Sequence, residues 1–129
     1  MNLGLKDKRP KNNFFSSFRF ALSGIIMAVK KERNLKIHFS AAIIVILLGI
    51  YYRVSAINWL FLAIAMGLVI VMEMMNTAIE RVVDLVTKEF HPLAKEAKDI
   101  SAGAVLIAAI ISVIIGIIIF LPKIFPSLF

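Results

Sequence analysis

Between Ile100 and Pro122 the chain carries no charged side chain. A helix needs about 20 apolar residues to cross the hydrocarbon core of a bilayer. Within that core only a helix or a closed barrel satisfies its own backbone. This run therefore commits the chain to a membrane helix. Val54 to Met72 is also free of charge, and it leads into an acidic stretch. Phe39 to Tyr52 is shorter, and Leu35, Ile37 and Val54 extend it to spanning length. Tyr51, Tyr52 and Arg53 then fall at an interface, where aromatic belts and snorkelling bases sit.

The fold class is thus all-α integral membrane, with three transmembrane helices over about 35–54, 56–86 and 98–121. A chain of 129 residues fits one domain, here 1–129. It is 60% hydrophobic and 18% charged, too apolar for a soluble globule, which is about half apolar and a quarter charged. Disorder is excluded for the same reason. No cysteine is present, so there is neither a disulfide framework nor a thiolate metal site. The net charge of +7 in a soluble domain would suggest nucleic acid. On a membrane chain it points to an anionic lipid surface and not to nucleic acid.

Residues 14–31 differ from the spans. Phe14, Phe15, Phe18, Leu22, Ile25, Ile26 and Val29 recur at helical spacing, while Arg19, Ser23, Lys30 and Lys31 lie off that stripe. An amphipathic helix lying on the membrane surface is expected. Residues 1–12 read as a basic, flexible tail. The first apolar run begins far from Met1 and no small-residue cleavage site follows it, unlike a signal peptide. Bases cluster before the first span and between the second and third, with Arg53 alone between the first two. The positive-inside rule then puts the N-terminus and the second loop in the cytoplasm and the C-terminus outside.

The second span runs without a break into Glu73-Met-Met-Asn76-Thr77-Ala-Ile-Glu80-Arg81-Val-Val-Asp84. At about 100° per residue, Glu73, Glu80 and Asp84 fall close to one line of the helix, flanked by Asn76 and Thr77. A carboxylate near the end of an apolar run is costly, and such residues usually mark a function. Glu73 is also of the right type to take a proton as a general base. The plainer reading pairs Glu73 and Glu80 with bases on neighbouring helices, Arg81 and Lys98 among them. Three acids and an amide on one face weigh against that reading.

Lys98-Asp99 is expected to open the third span, where Asp99 suits the helix dipole and a phosphate would also be favoured. Ala102 and Gly103 permit close helix packing. Glu32 lies among Lys30, Lys31, Arg33 and Lys36, and by composition reads as their solvated partner. His38 and His91 are isolated and read as interface polarity. Oxygen ligands without thiolate suit Mg²⁺ better than zinc. No GxxxxGK[ST] or GxGxxG motif is present.

Glu73-x-x-Asn76-Thr-Ala-Ile-Glu80-x-Val-Val-Asp84 resembles the signature of the small prokaryotic diacylglycerol kinases. Ala97-Lys98-Asp99 with Ala102, Ala104 and Val105 is similar to their second hallmark, and Glu89-Phe90-His91 lies between the two. Glu32-Arg33-Asn34, the run from Asn76 to Thr87, and His91-Pro-Leu-Ala-Lys95 look like the Gram-positive branch, mainly undecaprenol kinases. The likeness covers about residues 14–122. It implies a homotrimer in a bacterial cell membrane, each chain with three spans and a surface helix. It also implies a MgATP-dependent kinase acting on a lipid alcohol, undecaprenol or diacylglycerol, at sites formed between protomers. Carried over by motif, Glu73 would be the general base and Asn76 would support it and the transferring phosphoryl group. Glu32 and Glu80 would hold Mg²⁺ and the ATP phosphates. Glu89, His91, Lys98 and Asp99 would bind the nucleotide. The chain departs from the pattern at Phe20, where Tyr is common, and at Ala102, where the family carries Ser. Two readings from other classes stand beside the kinase. One is a structural or regulatory membrane subunit. The other is a proton or cation carrier relaying through Glu73, against which the cluster's place at one membrane face argues.

Overall fold

A computed structural model describes residues 14–128; the basic segment 1–12 lies outside them. Four helices follow in order: α1 (Phe14–Lys31), α2 (Arg33–Tyr51), α3 (Ala56–Val86) and α4 (Pro92–Ile124), then a short 3₁₀ turn over Pro126–Leu128. There is no strand among the described residues.

Only Glu32 separates α1 from α2. Its backbone is extended, at φ −94° and ψ 121°, and its N–H still donates to the Ala28 carbonyl at 2.8 Å. Lys30 and Lys31 occupy the last turn of α1, where positive charge meets the negative end of the helix dipole. The α2–α3 turn is tight. Arg53 sits at φ 47°, in the left-handed region that non-glycine residues seldom enter. Ser55 caps α3 by accepting from the Asn58 N–H at 3.3 Å. Where α2 meets α3, a Cβ on Gly49 would lie 2.6 Å from the Trp59 ring. Only glycine allows that approach.

Helix α3 has 31 residues, about 46 Å at 1.5 Å per residue. That exceeds a hydrocarbon core of about 30 Å, so one end projects beyond it. Helix α4 extends further than its charge-free run at both ends. It starts at Pro92, not at Lys98, because His91 caps it and Pro92 takes the first-turn position where a missing N–H costs nothing. It also continues past Pro122 to Ile124. A proline so near the end removes little of the remaining ladder, and Pro126 then opens the 3₁₀ turn.

Packing is concentrated along the α3–α4 seam, with α2 against α3 and α1 touching α2 and α3. Val54, Leu62, Ile119 and Phe120 form a buried cluster, against which Trp59, Leu48 and Tyr52 pack. Most other large apolar side chains are exposed, among them Ile43, Leu47, Ile64, Leu106 and Ile118. Such a surface would drive aggregation in water, and it suits lipid. Helices α2, α3 and α4 are each long and apolar enough to cross a bilayer. The protein is a multi-pass membrane protein.

Candidate active site

The buried stripe of α3 passes through Leu62, Ala65, Val69, Glu73, Asn76 and Thr77. Steps of three and four residues keep these positions on one helical face. The stripe is apolar up to Val69 and polar from Glu73. Opposite its polar part, α4 buries Ser101. Glu73, Asn76, Thr77 and Ser101 are the buried polar residues among those described.

A hydrogen-bonded chain crosses the seam here. The Ser101 hydroxyl donates to Asn76 Oδ1 at 2.6 Å. The Asn76 amide donates through Nδ2 to Glu80 Oε1 at 3.1 Å, one turn further along α3. The three acids on this helix face grade in exposure. Glu73 is 3% exposed, Glu80 is half-buried and Asp84 is exposed. Glu73 and Glu80 are two turns apart, about 10 Å along the axis.

The bases go elsewhere. Arg81 Nη2 donates to Glu32 Oε1 at 2.9 Å. Lys98 Nζ donates to Asp84 Oδ1 at 2.6 Å. Among the described residues, no ion pair joins Arg81 or Lys98 to Glu73 or Glu80. The plain pairing reading of those two acids therefore fails. The cause is geometric, since one residue along a helix turns by about 100°. Arg81 consequently faces the α1–α2 break and not the face of Glu80. That contact brings Glu32 beside the Glu80 turn of α3.

A second group lies where α3 ends and α4 begins. A cavity of about 300 Å³ is lined by Asp84, Thr87, Glu89, His91, Lys98 and Asp99, with neighbouring residues. Its loop is pinned by the Thr87 hydroxyl, which donates to the Glu89 carbonyl and accepts from the Glu89 N–H, both at 3.2 Å. His91 Nδ1 accepts from the Leu93 N–H at 3.2 Å, which leaves Nε2 for other partners. Lys98 and Asp99 stand well past the first turn of α4, outside the reach of its N-terminal dipole. Side chains hold them instead: Asp84 pairs with Lys98, and Lys95 pairs with Asp99 one turn away. The structure thus gathers Glu89, His91, Lys98 and Asp99 at one cavity and Glu73, Asn76 and Glu80 at the seam.

No group of three or more His, Asp or Glu side chains is assembled for a metal among the described residues. Two carboxylates nevertheless fit Mg²⁺, which takes one or two from protein and keeps water and phosphate as its other ligands. Glu32 and Glu80 each have one oxygen engaged, by Arg81 and by Asn76. The second oxygen of each remains for a cation.

Sequence reasoning missed Ser101. It weighed Ala102, which is exposed, and passed over the hydroxyl one position earlier, which is buried. The available signal was periodicity, because Ser101 lies seven residues before Ala108 and both are buried on α4.

The sequence model of the family described as prokaryotic diacylglycerol kinase matches residues 19–120. An undecaprenol kinase of Bacillus subtilis (strain 168) is 47% identical over 119 residues, covering 92% of this chain and 97% of that one. A diacylglycerol kinase of Synechocystis sp. is 44% identical over 85% of this chain and 63% of its own. A diacylglycerol kinase of Escherichia coli (strain K12) is 39% identical over 57% of this chain and 61% of its own.

Proposed function

The chain belongs to the prokaryotic diacylglycerol kinase family, and we propose that it transfers the γ-phosphoryl group of ATP to the hydroxyl of undecaprenol, giving undecaprenyl phosphate. The observation that carries this reading is Glu73, a carboxylate buried where the apolar stripe of α3 turns polar. A lipid alcohol needs that boundary, with its hydrocarbon in the bilayer and its hydroxyl within reach of a base. The choice of undecaprenol rests on likeness to the Bacillus subtilis enzyme over nearly the whole of both chains. Likeness to kinases named for diacylglycerol supports that lipid as the second reading.

In this reading Glu73 accepts the proton of the acceptor hydroxyl as its oxygen attacks the γ-phosphorus. The bond from the γ-phosphorus to the bridging oxygen breaks, and ADP leaves with that oxygen. Asn76 supports the base and the transferring group. Glu89, His91, Lys98 and Asp99 bind the nucleotide at the α3–α4 cavity, and Lys98 exchanges Asp84 for a phosphate oxygen. Glu32 and Glu80 would hold Mg²⁺, which neutralises polyphosphate charge and orients the phosphates for in-line transfer. Charge neutralisation and positioning dominate this chemistry.

On this reading the protein sits in a bacterial plasma membrane, with the N-terminus and the proposed site on the cytoplasmic face and the C-terminus outside. The distribution of bases supports this. Three chains are proposed to assemble, with sites between protomers. A bundle this thin has little interior, and the exposed Gly67 and Ala102 permit close helix contact. On the same reading, the exposed phenylalanines of α1 rest on the lipid surface.

The test is phosphorylation of undecaprenol and dioleoylglycerol by purified protein with ATP and Mg²⁺ in mixed micelles, beside Glu73→Gln. Undecaprenol is expected to be the better acceptor, and the variant to be inactive. Preference for dioleoylglycerol would replace the acceptor. Full activity of the variant would remove Glu73 from the mechanism.

A further inference from the structure

Ser101 has one proton and two acceptors in range, Asn76 Oδ1 at 2.6 Å and the Lys98 carbonyl at 2.9 Å. The choice between them is forced from the far end of the chain. An amide nitrogen only donates and an amide oxygen only accepts. The Asn76 atom facing Glu80 Oε1 is the nitrogen, at 3.1 Å, and its carbonyl oxygen faces Ser101. Two oxygens 2.6 Å apart without a proton between them would repel. The hydroxyl proton therefore lies toward Asn76. The Lys98 carbonyl loses little, since it stands in mid-helix where the backbone ladder already serves it. Ser101 and Asn76 are both less than a tenth exposed, so water cannot readily replace either partner.

We infer that Ser101 is a positioning residue. Its hydroxyl locks the Asn76 amide in the orientation that turns Nδ2 to Glu80, which fixes one Glu80 oxygen and presents the other to a divalent cation. This inference rests on the reading above in which Glu80 is a cation ligand. It adds an α4 residue to a site otherwise built on α3 and the α1–α2 break. It also couples that site to the nucleotide cavity, because Lys98 lies one turn from Ser101 on the same helix.

The probe is Mn²⁺, titrated by electron paramagnetic resonance in the presence of β,γ-imido-ATP, on the full chain in detergent. Ser101→Ala is expected to weaken Mn²⁺ binding about five- to tenfold, the scale of one lost hydrogen bond to a buried group. Ser101→Cys, of nearly equal size but a weak donor, is expected to do the same, and it covers the case in which the alanine variant packs poorly. Ser101→Thr keeps the hydroxyl and should stay within about twofold of the parent. In an Asn76→Ala background, Ser101→Ala should add nothing. Parental Mn²⁺ affinity in both Ser101→Ala and Ser101→Cys would overturn the inference, as would an undiminished Ser101 effect without Asn76. Glu80→Gln separates the two levels. Unchanged Mn²⁺ binding there removes Glu80 as a ligand. Weakened binding there, with parental binding in the Ser101 variants, removes Ser101 alone.

Discussion

The α3–α4 seam has two ends built on one spacing and held by opposite means. At one end the buried side chains Leu62, Ile119 and Phe120 close on one another with Val54, and all four are apolar. At the other, Glu73, Asn76, Thr77 and Ser101 occupy the same kind of buried position. Apolar contact is non-directional and tolerates many side chains of about the right volume. Buried polar groups cost free energy unless their partners are geometrically satisfied. A helix pair that needed only to hold together would continue its apolar stripe past Val69. That this one does not is what supports the proposed site at the polar end.

The sharpest way to break the comparison is to make the ends alike. Glu73→Leu would carry the apolar stripe one step further. Lipid phosphorylation should fall a hundredfold or more, within the about 10²–10⁴ that general-base catalysis supplies. The thermal midpoint in detergent should hold or rise, because a carboxylate no longer has to be buried. A midpoint that fell sharply would mean that Glu73 is structural. The reciprocal change is Leu62→Ala at the apolar end. It should cost about 2 kcal/mol, the low side of the range for soluble cores. Lipid can take up exposed apolar surface without a hydrophobic penalty, so only packing is lost. Chemical unfolding in mixed micelles would measure it, and kcat of the folded fraction should not change.

Smaller effects sharpen the same division. Lys98→Met frees Asp84 and removes a cation from the α3–α4 cavity. It should raise KM for ATP about tenfold, as for a lost charge-assisted hydrogen bond, with little change in KM for the lipid. Equal changes in both would place Lys98 elsewhere in the mechanism. Arg53→Gly should be the mildest. Arg53 holds a left-handed backbone at φ 47°, and glycine relieves about 1 kcal/mol of that strain while giving back part of it in chain entropy. A small rise in thermal midpoint with unchanged kinetics is the expected result.

Much of this was legible without coordinates. Charge-free runs announce spanning helices because bilayer thickness and backbone satisfaction leave few alternatives. Glu73 and Glu80 could be placed on one face because helical phase is fixed by covalent geometry. The start of α4 was not legible from charge, since Pro92 and the His91 cap set it. Nor was the choice of partners. Arg81 stands next to Glu80 in the chain and reaches instead to Glu32, 49 residues away.

By itself the sequence determined the membrane class, the three apolar spans, the acidic face of α3 and the motif that identifies the family. The first three follow from local periodicity and spacing, which no packing can alter, and the last from likeness to a known family. Only the tertiary structure decided that Asp84 takes Lys98, that Glu32 joins the Glu80 turn, and that Ser101 closes the chain through Asn76 across 25 residues. Such contacts depend on which faces of α3 and α4 meet. That is settled by the whole seam together, and no single segment encodes it.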